Sequence, residues 1–85
     1  PNPLTGKIKV FPNPASQYIT IQARPELAIQ RIRILDIQGK ELYRHVSGSD
    51  THDITVSTSS WSPGPVFISI TTDHDVWTEK IIILP

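Results

Sequence analysis

The 85-residue chain has no cysteine, so no disulfide can staple it and no thiolate can act as nucleophile or metal ligand. It has no surplus charge either: 8 basic and 8 acidic residues give a formal net charge of zero. That argues against a non-specific binder of nucleic acid or of an anionic membrane, whose affinity comes from excess Lys and Arg. No stretch approaches the roughly 18 apolar residues that a spanning helix needs. The longest apolar run is Ile81 to Leu84. Only four glycines occur, and they form no phosphate-cradling loop. No segment sustains a period of about 3.6 residues, and Pro25-Glu26-Leu27-Ala28 is long enough for one helical turn at most, so helix is excluded.

Chemistry is equally sparse. His45, His52 and His74 lie on separate segments without metal-ligand spacing, and no cofactor or metal is expected. Asp73-His74-Asp75 reads as a polar hairpin tip, since turns favour Asp. His52-Asp53 lacks a nucleophile, because no serine sits in a Gly-x-Ser-x-Gly elbow. Asp36, Glu41, Asp50 and Asp53 stand at strand ends or in loops, where no acid–base pair can be assigned. The residues describe no enzyme. Arg31, Arg33, Lys40 and Arg44 could form a basic stripe, but Glu41 among them favours a solvated face with cross-strand pairing. Trp61, Trp77, Tyr18 and Tyr43 could form a sugar-stacking platform. Trp61, just before a Pro-Gly turn, is expected instead to plug the core.

What the chain does have is alternation. Seven short segments rich in Ile, Val and Thr read as strands, at residues 7–11, 17–23, 29–37, 40–46, 52–57, 66–72 and 76–84. Their spacing, about 8–12 residues with turn residues between, points to an all-β sandwich or barrel. Period two places Ile19, Ile21, Ile32, Ile34, Leu42, Ile54, Val56, Val66, Ile68 and Ile70 on the core face. The adjacent apolar pair Ile34-Leu35 breaks that phase and predicts a bulge or an edge position. Gln38-Gly39 signals a two-residue hairpin, residues 47–50 a polar loop, and 57–60 a crossing loop. Pro63 and Pro65 block ladder pairing ahead of the sixth strand.

Between the first two strands stands Val10-Phe11-Pro12-Asn13-Pro14-Ala15-Ser16. Two prolines fix φ and bias Phe11 and Asn13 toward extended geometry, which makes a stiff corner. The corner is expected to pass the chain from one sheet to another. The opening Pro1-Asn2-Pro3-Leu4-Thr5-Gly6 is linker-like, so residues 1–6 read as a linker from a preceding domain and 7–85 as one domain. A single domain of this size buries only about 60–65% of its unfolded surface, so its core must be thin.

Three stretches together resemble the C-terminal sorting domain of type IX secretion cargo from Gram-negative bacteria. The corner with Tyr18-Ile19-Thr20-Ile21 is similar to the family's opening motif, in which Pro12, Asn13 and Pro14 take part. Ile32 to Leu42 resembles its strand, Asp, two residues, Gly-Lys and strand, matched by Asp36, Gly39 and Lys40. Gly64-Pro65-Val66-Phe67-Ile68-Ser69-Ile70, leading to Lys80-Ile81-Ile82-Ile83, resembles its closing hairpin. Val66 stands where the family usually has Tyr, and Pro65 where it has a non-proline residue, so packing is expected to suffer there.

The resemblance implies a seven-stranded immunoglobulin-like antiparallel sandwich at the C-terminus of a secreted protein, directing an N-terminal cargo domain across the outer membrane. It implies as partners an outer-membrane secretion translocon and a cell-surface sortase that cuts the domain off and can join the cargo to lipopolysaccharide. The domain is then a substrate, localised to the periplasm in transit and to the cell surface or medium afterwards. The competing function is a fibronectin-like or carbohydrate-binding accessory module, which requires exposed aromatics in a row. Alternation buries only half of Ile81 to Leu84. The residues expected to be recognised are therefore Lys80, Ile81, Ile82, Ile83 and Leu84, with the corner serving architecture.

Overall fold

A computed structural model of the chain describes residues 4–46, 53–73 and 75–85. The loop expected at 47–50, and His52 and His74, lie outside the described residues. Seven strands follow one another: β1 (Ile8–Phe11), β2 (Tyr18–Ala23), β3 (Arg31–Asp36), β4 (Glu41–Val46), β5 (Asp53–Ser57), β6 (Gly64–Thr71) and β7 (Val76–Ile83). They form a three-stranded sheet, β1-β2-β5, and a four-stranded sheet, β4-β3-β6-β7, with every pair antiparallel. The fold is the immunoglobulin-like sandwich that the resemblance implied.

The β-branched residues produce this fold because their stripes match the pleat. Ile19 and Ile21 on β2, Ile32 and Ile34 on β3, and Val66, Ile68 and Ile70 on β6 are all buried in one cluster. Ile8, Val10, Ala15, Ala23, Ile29, Val56, Ile81 and Ile83 complete it, together with Leu4 from the opening segment. Among the expected core residues Ile54 and Leu42 are only half-buried, whereas Val56, on the same strand as Ile54, is 5% exposed. Leu42 and Trp61 also pack against the core while remaining half-buried, so Trp61 is a lid on the core rather than a plug within it.

Three local expectations are corrected. The proline corner does not change sheets, since β1 and β2 pair directly, Phe11 opposite Thr20. The hairpin after β3 has a three-residue connection, not two. The Asp36 N–H donates to the Lys40 carbonyl and the Gly39 N–H donates to the Asp36 carbonyl. Gly39 takes φ 84°, the left-handed position that such a connection requires. Finally, Gly64 and Pro65 belong to β6, opposite Ile83 and Ile82. Pro65 is tolerated because its missing donor would point toward β3, which ends at Asp36 opposite Val66. Val66 is buried, at 2% exposure, and lines a cleft with Gly64, Pro65 and Trp61.

The phase break is a bulge, as expected. Ile34 pairs Tyr43 while Leu35 pairs Glu41, which leaves Leu42 as the extra residue on β4. The bulge resets the alternation and brings Glu41 onto the outer face beside Leu35.

Ile68→Ala is expected to cost about 2–5 kcal/mol in urea unfolding, and Ile37→Ala, on the exposed hairpin, under about 0.5 kcal/mol. Similar losses at both positions would contradict this core.

Candidate functional site

The three motif stretches, far apart in sequence, converge on one end of the sandwich. There β7 finishes, β6 begins and β3 ends, in the lateral order Ile81, Val66, Asp36. The proline corner lies along the outer edge of β7. Both its prolines follow cis peptide bonds.

Period two makes Lys80 and Ile82 direct their backbone groups away from β6, toward that edge. Asn13 meets them with its side-chain amide: Oδ1 accepts the Ile82 N–H at 3.1 Å and Nδ2 donates to the Lys80 carbonyl at 3.3 Å. Ala15, fully buried, adds a parallel bridge to Ile83. Its N–H donates to the Ile82 carbonyl at 2.9 Å, and its carbonyl accepts the Leu84 N–H at 2.7 Å. The corner thus acts as a short eighth rung on β7, closing the edge that Ile81 to Leu84 would otherwise offer to another strand.

What stays open is a face. Ile81 and Ile83 are 0% and 2% exposed, whereas Ile82 and Leu84 are 37% and 43% exposed. Beside them on the outer face stand Pro65, Phe67 at 39% exposure, and Leu35 in register with Phe67.

The β3–β4 hairpin is held by Asp36. Its Oδ1 accepts the N–H of Gln38 and of Lys40, each at 2.9 Å, a side-chain cap that specifies the turn. With Gly39, this accounts physically for the Asp-x-x-Gly-Lys spacing. Asp36, Lys40 and Gly64 line one cleft of about 330 Å³ with Leu42, Trp61 and Pro63. A more open cleft of about 480 Å³ lies against Lys7, Lys9, Arg24 and Asp53 and holds none of the motif residues.

Further along the same sheet, Glu41 accepts from Arg33 Nε at 2.8 Å and from Arg44 Nε at 3.0 Å. These two guanidinium hydrogen bonds, Arg33's first, hold its carboxyl below the usual value of 4.5, with desolvation opposing. The pairing expected within the basic stripe is therefore present on Arg33 and Arg44. The aromatics do not align as a sugar platform. Trp77 is half-buried and donates Nε1 to Glu79 Oε1 at 3.0 Å, and Trp61 packs on the core. Phe11 and Tyr18 are exposed on the other sheet.

Of the residues singled out by sequence, Pro12, Asn13, Pro14, Lys80, Ile81, Ile82, Ile83 and Leu84 meet at the corner and terminal strand. Asp36, Gly39, Lys40 and Gly64 meet at the neighbouring hairpin end of the same sheet. Sequence reasoning did not single out Ala15 as an edge pairer, nor Phe67 and Leu35 as surface. For Phe67 the signal was present, since it is out of phase with Val66 and Ile68.

Among the described residues no group of three metal-ligating side chains occurs, and no helix is long and apolar enough to cross a membrane. The arrangement is that of an immunoglobulin-like module whose distinctive residues shape a surface and a latched strand. The family model for the secretion system C-terminal sorting domain matches residues 9–84, and the chain belongs to that family. It is thereby a type IX secretion sorting domain of a secreted protein, in a family of signals and not of enzymes. Among curated proteins, none matches the chain.

Asn13→Ala is expected to cost about 1–2 kcal/mol for two lost hydrogen bonds and to speed amide exchange at Ile82. Asn13→Asp, which retains the acceptor, should preserve more of that protection. Unchanged exchange at Ile82 in Asn13→Ala would remove the latch. The depressed Glu41 carboxyl adds stability that is present above pH 4.5 and lost as pH falls through its folded value. Glu41→Gln should accordingly flatten the acid limb of the stability–pH curve, and an unaltered limb would contradict the pairing.

Proposed function

We propose that this domain is the sorting signal by which an attached N-terminal cargo crosses the outer membrane, passing through the periplasm to the secretion translocon. A cell-surface sortase then removes the domain, and the cargo is released or attached at the surface. Residues 1–6 form the junction to the cargo, and 7–85 the signal domain. The recognised element is the end of β7, Lys80 to Leu84, and the proline corner holds it in place.

The observation that carries this reading is the split within the terminal run. Two side chains are spent on the core, and Ile82 and Leu84 are displayed on a strand whose edge is already closed. A partner therefore reads side chains on a face, not a free edge by strand addition.

The test fuses the domain to a reporter in a host that has the secretion system. Removing residues 80–85 takes away Ile81 and Ile83 and is expected to unfold the domain, so the informative variant is Ile82→Asp/Leu84→Asp, with folding checked by thermal melting. The parent fusion should reach the medium, and the folded double variant should remain cell-associated. A folded double variant exported at the parent's level would overturn the assignment. Pro12→Ala/Pro14→Ala, where it stays folded, should still be exported.

A further inference from the structure

The outer face of the four-stranded sheet is divided by polarity. In register order across β3, β6 and β7, one row is Leu35, Phe67, Lys80, and the next toward the end is Pro65, Ile82. In the other direction come Arg33, Ser69, Thr78 and then Arg31, Thr71, Val76, with Arg44 opposite Arg33 on β4. The end that holds Leu35, Phe67, Pro65 and Ile82 is apolar apart from Lys80, while the other end carries three arginines together with the exposed Val46 and Val76. Among the described residues, Arg31, Arg33, Arg44 and Lys80 share this face with one carboxylate, Glu41, which is already bound by Arg33 and Arg44. Asp73 and Asp75 sit at the hairpin tip beyond Arg31, at the rim, and the Asp73 carboxylate accepts from Gln30 Nε2. In a chain of zero net charge, this face is locally basic.

Resting on the sorting reading, we propose that the secretion partner covers this whole face, through a protein surface that sets an apolar patch beside an acidic one. Charge complementarity selects the sign of the partner. The apolar end selects protein over a polyanion, since a polyphosphate or polysaccharide has nothing to bury against Phe67, Leu35 and Ile82. Size agrees as well: eight-residue strands at about 3.3 Å per residue and four strands about 4.8 Å apart make a face of roughly 400–500 Å². That is the scale of a weak, transient contact, which suits a signal that must be handed on.

The test places charge reversals on rows remote from Ile82 and Leu84. Arg31→Glu/Arg44→Glu is compared with Lys7→Glu/Lys9→Glu, which shifts net charge equally but lies outside this face. Arg31→Gln/Arg44→Gln is the neutral series member. With all variants folded, export of the reporter should fall about tenfold for the Glu pair, less for the Gln pair, and not for the Lys7/Lys9 pair. Equal loss in both reversals, or loss in neither, overturns the proposal while leaving the terminal-strand reading intact. Binding of the isolated domain to lipopolysaccharide micelles that is lost on Arg31→Glu/Arg44→Glu would assign the face to an anionic glycolipid and overturn it too. A concentration-dependent dimer abolished by the same pair would assign the face to a second copy and overturn it likewise. Failure of the parent fusion to be exported defeats both readings together.

Discussion

Ile32, Ile34, Ile68 and Ile70 are fully buried on the two central strands of one sheet, in one cluster with Ile19 and Ile21 of the other. With no cysteine in the chain and no helix among the described residues, this single layer is what opposes the conformational entropy of the chain. Its demand is parity. Once Ile68 and Ile70 point inward, Phe67 and Ser69 must point outward. Once Ile81 and Ile83 enter the core, Lys80 and Ile82 must turn their side chains to solvent and their backbone groups to the edge.

That parity creates a problem at the chain end, and the proline corner answers it. An apolar edge strand with free N–H and carbonyl groups is a template for another strand. Asn13 and Ala15 occupy the Lys80 carbonyl, the N–H and carbonyl of Ile82 and the Leu84 N–H. The corner can do this because Pro12 and Pro14 divert the chain out of the β1–β2 sheet for a few residues before β2 returns beside β1. Its departure from simple hairpin geometry is thus a consequence of the reach needed to touch β7.

Most of the fold was legible because one rule governed it. Strands with unbroken alternation, such as Tyr18–Ala23, were placed to within a residue, and even the Ile34-Leu35 break reported its bulge. The failures occurred where pairing across sequence distance decides. Nothing local in Phe11-Pro12-Asn13-Pro14 says that the next strand will lie in the same sheet, because that depends on β7 arriving from the far end of the chain. Gln38-Gly39 looked like a two-residue turn because the Asp36 carboxylate, which captures two backbone N–H groups, lengthens the loop from outside the dipeptide. Ile54 matched the core pattern yet is only half-buried, while Val56 on the same strand is buried, so alternation reports the face of a strand and not the depth of each residue. For the candidate site, the residue types were legible and their convergence was not.

The convergence has an energetic consequence. The Asn13 contacts join residues 67 and 69 positions apart, and closing such loops is entropically costly until the sandwich has assembled. The latch on β7 therefore forms only when the β1–β2 sheet and the β6–β7 hairpin are both in place. A terminal strand presented with Ile81 and Ile83 buried, its edge closed and Ile82 and Leu84 outward is a property of the whole folded domain, not of its last few residues. A partner that reads that face discriminates against an unfolded tail of identical sequence, since the tail would have to bear the ordering cost at the moment of binding. Folding of the domain and display of the surface are in this way one equilibrium, and a mutation far from Leu84 can withdraw that display simply by weakening the core.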